Sequence, residues 1–173
     1  MPSIVPTATH VFPLRFYNLK SYKWPSGRKV LSFLSFADAF TYLIEHYALQ
    51  KATLLVPSLY CQETLEYFRR YCHLVFYTIN PETLDADRED FTNILRSSQP
   101  RIVLLYNVLG KETVLHQQTE WVRSLRDDAV IISDMAHSLL PLHPLTVLHP
   151  RHFFIDSARK CTPHMVSHLV CPP

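Results

Sequence analysis

Apolar residues recur along the chain in two alternating patterns, one typical of helices and one typical of strands. Between Ser35 and Tyr47 they recur at steps of three and four residues, which predicts an amphipathic helix. The following run Thr53–Val56 is largely apolar and ends at Pro57, as a short buried strand does. Apolar strands that alternate with helices are typical of a mostly parallel sheet with helices on both faces. We therefore predict a three-layer α/β fold.

The alternation continues towards the C-terminus. We expect helices at residues 63–71, 87–95 and 116–125, with Asp87 as the N-cap of the second. Four more apolar runs predict strands, and a last run predicts the start of another: 74–79, 101–106, 129–132, 152–155 and 165–170.

Length and composition set the limits of this fold. The chain has 173 residues, about the length of one domain. Residues 1–30 are rich in proline and aromatic side chains, which predicts an irregular N-terminal arm before an α/β domain at residues 31–173. The chain has only 2 glycines, Gly27 and Gly110, so neither a P-loop nor a GxGxxG phosphate loop can be built from it.

Charge and hydropathy predict neither a nucleic-acid nor a membrane partner. The net charge of +2 comes from 17 basic and 15 acidic residues without a basic stripe. The N-terminus does not look like a signal peptide, and no apolar stretch approaches the ~18 residues of a membrane span. A cytoplasmic protein is expected. Its cysteines lack the spacing of a disulfide framework and are expected to be free thiols: Cys61, Cys72, Cys161 and Cys171.

Two residue pairs carry the candidate chemistry. Ligands of such sheets lie beyond the carboxyl ends of the strands. Asp134 follows one predicted strand, with His137 three residues later, and Lys160 follows another, with Ser157 three residues before it. An acid that keeps a heterocyclic nitrogen protonated and a lysine that can form an imine are the minimum set for pyridoxal phosphate chemistry. Taken singly, a strand-end Asp is commonly a turn or cap residue, and most lysines are solvated.

Five short segments occur in a collinear order that adds specificity. They are Val56-Pro57-Ser58, Asn80–Asp87, Asn107–Gly110, Ser133–Ser138 and Phe154–Lys160. In this order they resemble segments of the large domain of fold-type I pyridoxal-phosphate-dependent transferases, most of all the sugar aminotransferases of the DegT/DnrJ/EryC1/StrS family. The resemblance implies a three-layer sheet, pyridoxal 5'-phosphate as cofactor, and amino-group transfer between a small-molecule donor and an acceptor.

The same resemblance implies roles for single residues. Lys160 would be the catalytic residue that forms an imine with the cofactor aldehyde and moves a proton. Asp134 would pair with the ring nitrogen, His137 would lie near the phenolic oxygen or over the ring, and Ser157 would donate to the phosphate. Tyr60 is the candidate for stacking on the ring, with its neighbour Cys61 as the alternative.

Two departures from the family pattern point the other way. Family members hold the phosphate at a glycine-containing turn that opens the first helix, where this chain has Ser35-Phe36-Ala37-Asp38. A Phe in place of the Gly, and an Asp nearby, both disfavour a phosphate. The family also has a small domain after the lysine segment, and this chain ends at residue 173, soon after Lys160. We expect an incomplete large domain that needs a homodimer or a partner chain.

Two other interpretations remain at this point, and a third is set aside. The chain could be a non-catalytic remnant or an interaction protein that keeps the sheet without the cofactor. It could be a hydrolase with Cys61 as nucleophile and His137 as base. Histidines are frequent between His137 and His168, but they lack HExxH spacing and prolines separate them, so no metal site is predicted.

Overall fold

A mixed sheet organises the protein in the computed structural model, which describes residues 29–106, 112–137, 150–160 and 165–172. The strands, numbered in chain order, are β1 Val30–Phe33, β2 Thr53–Pro57, β3 His73–Tyr77, β4 Ile102–Tyr106, β5 Val130–Asp134, β6 His152–Ile155 and β7 Ser167–Val170. Their order across the sheet is β1-β7-β6-β5-β4-β2-β3. The pairings among these strands are parallel except those of β7, which runs antiparallel to β1 and β6. The predicted mostly parallel sheet is confirmed.

Helices connect the strands: α1 Phe36–His46, α2 Gln62–Arg69, α3 Arg88–Ser98, α4 Glu112–Leu125 and a short 3-10 helix, Ala158–Lys160. The four predicted helices are present with shifted ends, and α4 begins at Glu112 rather than at residue 116. The apolar pattern does not predict β1, because its four residues are partly buried or exposed and give a weak signal. The predicted arm at residues 1–30 lies outside the described residues, apart from its end, where Val30 opens β1.

Local capping explains where the helices begin and end. The side chain of Asp87 accepts a hydrogen bond from the Asp90 amide at 2.8 Å, so the predicted cap of α3 is confirmed. At its other end α3 stops at Gln99, whose φ of 43° lies in the left-handed region. Glycine usually occupies this position, because a Cβ disfavours the left-handed conformation. The scarcity of glycine in the sequence thus has a direct structural counterpart.

Two apolar layers hold the helices against the sheet. Alternate residues of the central strands point to opposite faces, so that Leu54 and Ile132 join one layer and Leu55 and Ile131 join the other. The first layer is completed by residues of α1 and α2: Ala39, Phe40, Leu43, Ile44, Leu65 and Phe68. The second is completed by residues of α3 and α4: Phe91, Leu95, Leu115 and Val122. Helices therefore cover both faces, as predicted.

The parallel strands end at one edge of the sheet, which we call the carboxyl edge. It is formed by the residues that end or follow β2, β4, β5 and β6. Because β1 runs in the same direction as β6, the helix α1 that follows it also begins at this edge. Among the described helices none has the length and apolar character needed to cross a membrane.

Candidate active site at the carboxyl edge

Asp134 is the centre of the polar cluster at the carboxyl edge. It is the last residue of β5, lies opposite Tyr106 of β4, and is only 4% exposed. Its Oδ2 accepts a hydrogen bond from the Tyr60 hydroxyl at 2.5 Å, and its Oδ1 accepts one from the Ala136 amide at 2.8 Å. Both oxygens of a buried carboxylate are thus engaged by donors, which is what burial of such a group requires.

Burial and charge act in opposite directions on this carboxylate. Burial is the largest cause and raises the pKa of Asp134, while the bonds from Tyr60 and Ala136 and the charges of Lys160 and His137 oppose that rise. Burial, followed by the charge of Asp134, raises the pKa of Tyr60 well above its ordinary value. Tyr60 therefore remains a protonated phenol and acts as the donor in this pair.

Aromatic rings continue the cluster away from Asp134. The ring of Tyr106 meets the ring of Tyr60 edge to face, with centroids 5.0 Å apart. The Tyr106 hydroxyl lies 2.9 Å from Nδ1 of His137, which is exposed. His137 is thus near Asp134 as the sequence predicts, but its partner Tyr106 is not predicted, because only the strand register places it opposite Asp134.

The lysine segment follows β6 at the same edge. Lys160 is exposed and ends the 3-10 helix, where its amide donates to the Ser157 carbonyl at 3.0 Å. Its ammonium is close enough to Asp134 to lower the pKa of that carboxyl. The side chain of Ser157 is buried, with a relative exposure of 6% for the residue. The structure therefore places Lys160 and Asp134 at the same edge of the sheet.

An anchor that sequence reasoning missed fixes the start of this segment. The buried Asp156 accepts from the His168 amide at 2.7 Å, and its Oδ2 lies 2.9 Å from Nδ1 of the same histidine. The Ser167 hydroxyl donates to the Asp156 carbonyl. These contacts connect β7 to the residue directly before Ser157. The signal in the sequence was an acid directly after an apolar run, but its partner comes from a strand that pairs in the opposite direction.

The polar side chains at the beginning of α1 are hydrogen-bonded to each other. Ser35 is the N-cap, and its Oγ accepts from the Asp38 amide at 3.2 Å and donates to Asp38 Oδ2 at 2.7 Å. Phe36 packs against Phe68 with ring centroids 6.4 Å apart, and Phe68 also stacks on Tyr60 at 6.1 Å. Phe68 thus connects the helix start to the Asp134 cluster.

The site fits one part of pyridoxal phosphate better than the other. A buried carboxylate, aromatic rings and a nearby ammonium suit a ring that carries a nitrogen and an aldehyde. A helix N-terminus ordinarily attracts a phosphate, but here the capping serine is already bonded to the exposed carboxylate of Asp38, which repels an anion. The ring half of the site fits, and the start of α1 does not fit the phosphate.

The alternative chemistries find less support. Within residues 29–106, 112–137, 150–160 and 165–172, no group of three metal-ligating side chains is close enough to hold an ion. His143, His149 and His164 lie outside those residues, as does Cys161. Cys61 is exposed at the start of α2, and the amide and hydroxyl of Thr64 lower the pKa of its thiol. Tyr60, rather than Cys61, is hydrogen-bonded to Asp134.

Comparison with known proteins connects this fold to one group of solved structures. No protein-family model matches the chain, and no curated protein matches it. Cystalysin from Treponema denticola, which contains a pyridoxal 5'-phosphate cofactor, is similar with a TM-score of 0.67 at 10% identity, over 83% of this chain and 42% of its own. A double mutant of aspartate aminotransferase from Thermus thermophilus gives 0.65 at 14%, over 83% and 41%. An Escherichia coli protein with methionine aminotransferase function gives 0.64 at 16%, over 90% and 44%.

These comparisons establish the architecture. The mixed sheet with helices on both faces is that of the large domain of fold-type I pyridoxal-phosphate-dependent enzymes, as predicted. The chain spans less than half the length of each of the three proteins. They are not sugar aminotransferases by name, so the finer resemblance to the DegT/DnrJ/EryC1/StrS family stays a prediction.

Proposed function

We propose that this chain is an aminotransferase-like protein that holds pyridoxal 5'-phosphate through Lys160. The observation that carries the proposal is the buried Asp134 carboxylate at the end of β5, with the Lys160 ammonium close enough to influence its pKa. A carboxylate and a lysine at neighbouring strand ends are the two groups that pyridoxal phosphate chemistry requires from a protein. The similarity to the cofactor-containing cystalysin supports the same ligand.

Each residue of the site has a distinct task in this proposal. Asp134 accepts a hydrogen bond from the protonated ring nitrogen, and its burial strengthens that charge-assisted bond. Pyridoxal phosphate, when bound, supplies an electron sink for a substrate's amino carbon. The Lys160 amine, exposed at the carboxyl edge, would hold the cofactor through its aldehyde and would move a proton at its Nζ. His137 would lie near the phenolic oxygen or over the ring, and Ser157 would donate to the phosphate.

The proposal extends to the substrates and the assembly. We propose a small-molecule amino donor and acceptor, with a sugar as the acceptor if the DegT/DnrJ/EryC1/StrS resemblance is correct. We further propose a homodimer or a complex with a partner chain as the assembly. The proposed place of action is the cytoplasm.

A second candidate function has its own observation. The Ser35–Asp38 bonds and the Phe36 ring occupy the start of α1, where a phosphate-binding protein leaves open amides. This supports a non-catalytic remnant or an interaction protein that keeps the fold without the cofactor. The two candidates differ in one measurable property, the binding of pyridoxal phosphate.

Addition of pyridoxal phosphate to the purified protein tests this difference. We expect a visible absorbance band from the attached aldehyde and a rise in melting temperature with cofactor concentration, because a ligand of the folded state stabilises it by mass action. Lys160→Ala should abolish the band. Lys51→Ala, an exposed lysine at the opposite edge of the sheet, should keep it. Without a band or a melting shift in the wild-type protein, the remnant function is the correct one.

A further inference from the structure

The Tyr60 hydroxyl occupies the Asp134 oxygen that a ligand would need. Asp134 is 4% exposed, its Oδ1 is bonded to the Ala136 amide within its own turn, and its Oδ2 is bonded to Tyr60 at 2.5 Å. The Ala136 amide is fixed by the backbone, whereas Tyr60 lies in the connection between β2 and α2. Of the two donors, only the tyrosine can leave without unfolding a strand end.

We infer that Tyr60 is a competing donor, which a protonated ring nitrogen must displace from Asp134 before it can bind. The inference rests on the proposed function and assigns Tyr60 a role other than stacking on the ring. The contribution of this contact to the binding free energy is then the difference between the free energies of two hydrogen bonds to the same carboxylate. Because Tyr60 is released only in exchange for an equally good donor, it lowers the affinity for a ligand whose ring nitrogen binds Asp134.

The surroundings of Tyr60 are consistent with a side chain that can move. Tyr60 is half-buried, and the preceding Leu59 is 50% exposed. The Tyr60 ring contacts Tyr106 edge to face and stacks on Phe68, and its hydroxyl is held by the hydrogen bond to Asp134. Because burial keeps the phenol protonated, this hydrogen bond is present at neutral pH.

Exchange of donors has a consequence for ligand choice. A pyridinium nitrogen carries a proton and a positive charge, so it forms a charge-assisted bond with Asp134 that compensates for the loss of Tyr60. An aromatic aldehyde without a ring nitrogen offers no donor in exchange, so Tyr60 stays on Asp134, which would otherwise be a buried carboxylate short of one partner. Only a ligand with a protonated ring nitrogen therefore has to compete with Tyr60.

The test compares two ligands on three proteins. Dissociation constants are measured by equilibrium titration for pyridoxal 5'-phosphate and for its carbocyclic analogue, in which CH replaces the ring nitrogen. The proteins are the wild type, Tyr60→Phe and Tyr77→Phe. Tyr77 is the matched control, because its buried hydroxyl donates to the Leu104 carbonyl at 3.1 Å and not to Asp134. Circular dichroism and denaturant unfolding establish that each variant is folded.

We expect Tyr60→Phe to bind pyridoxal phosphate about tenfold more tightly than the wild type, the factor that one hydrogen bond to a charged group represents. The analogue should gain much less, and Tyr77→Phe should change neither constant. Equal or weaker binding of pyridoxal phosphate by Tyr60→Phe overturns the inference but leaves the proposed function intact. So does an equal gain for both ligands. No binding by any of the three proteins overturns the proposed function, and the inference with it.

Discussion

The two halves of the candidate site differ in how their polar groups are used. Around Asp134, a tyrosine after β2 and an amide after β5 donate hydrogen bonds to a buried carboxylate, and the charge of a lysine after β6 lowers its pKa. At the start of α1, Ser35 and Asp38 satisfy each other within one exposed turn. In the first arrangement, groups from several elements surround a carboxylate that a ligand's ring can contact. In the second, the polar groups at the helix start bind each other, so a ligand's ring should contribute more to binding than its phosphate.

The largest effect on ligand binding is expected from the ring half of the site, around Asp134. Asp134→Asn keeps the size of the side chain but removes the charge that a protonated ring nitrogen would meet. The loss of one charge-assisted bond, about 2 kcal/mol, sets an upper limit of roughly thirtyfold on the weakening of pyridoxal phosphate binding, because the competing Tyr60 bond is weakened as well. Equilibrium titration of both proteins measures this ratio. An unchanged dissociation constant would mean that Asp134 is a structural residue of the turn and that the ring half does not bind the ring.

A smaller effect on ligand binding, of opposite sign, is expected from the helix half of the site, at the start of α1. Asp38→Asn removes the carboxylate but keeps the backbone amide that donates to the Ser35 side chain, so the cap remains. A charge at a helix start contributes roughly 0.3–1 kcal/mol, so pyridoxal phosphate should bind about two- to fivefold more tightly.

Two controls separate this electrostatic effect from others. Pyridoxal, which lacks the phosphate, should bind Asp38→Asn and the wild type equally well. Because Asp38 is exposed, the gain for pyridoxal phosphate should also shrink as salt is added. A gain that persists at high salt, or that pyridoxal shares, would show that the carboxylate of Asp38 does not repel the phosphate.

The smallest signal is the pH dependence of stability, and it is expected from the ring half alone. Burial raises the pKa of Asp134 in the folded state above its ordinary value of 3.8. The folded protein therefore holds a proton more tightly than the unfolded chain. The associated stability is present below the ordinary pKa and is lost as pH rises through the raised one.

Denaturant unfolding at a series of pH values measures this loss. The wild type should lose stability relative to Asp134→Asn as the pH rises from below 3.8. A constant difference between the wild type and Asp134→Asn across this range would mean that burial does not dominate the ionisation of Asp134.

The sequence predicts the positions of the candidate site residues better than it predicts their contacts. Asp134 and Lys160 are identifiable as candidates because apolar runs end shortly before them, and parallel strands bring their ends to one edge. Tyr106 was not identifiable, because it belongs to an apolar strand and gains its role only from the register that sets it opposite Asp134. The Asp156–His168 anchor was missed for a similar reason, since it joins β6 to a strand that runs in the opposite direction.

Weak local signals account for the other differences. The short strand β1 has no continuous apolar run, and its place is fixed by pairing with β7. The start of α1 was recognisable as unfavourable for phosphate from Phe36 and Asp38. The sequence could not show, however, that Ser35 is bonded to Asp38, because a hydroxyl at that position can equally face a ligand. The partner of a side chain at the end of a helix or strand depends on the local geometry, which the residue types alone do not determine.

The site of covalent attachment tests the proposed function most directly. Pyridoxal phosphate is added to the wild-type protein, the linkage is reduced with borohydride, and peptide mass mapping locates the label. The account expects a single labelled residue, Lys160, and no label in Lys160→Ala. Lys51→Ala should be labelled as the wild type is. Labelling spread over several lysines, or label that persists in Lys160→Ala, would contradict a cofactor site at the carboxyl edge.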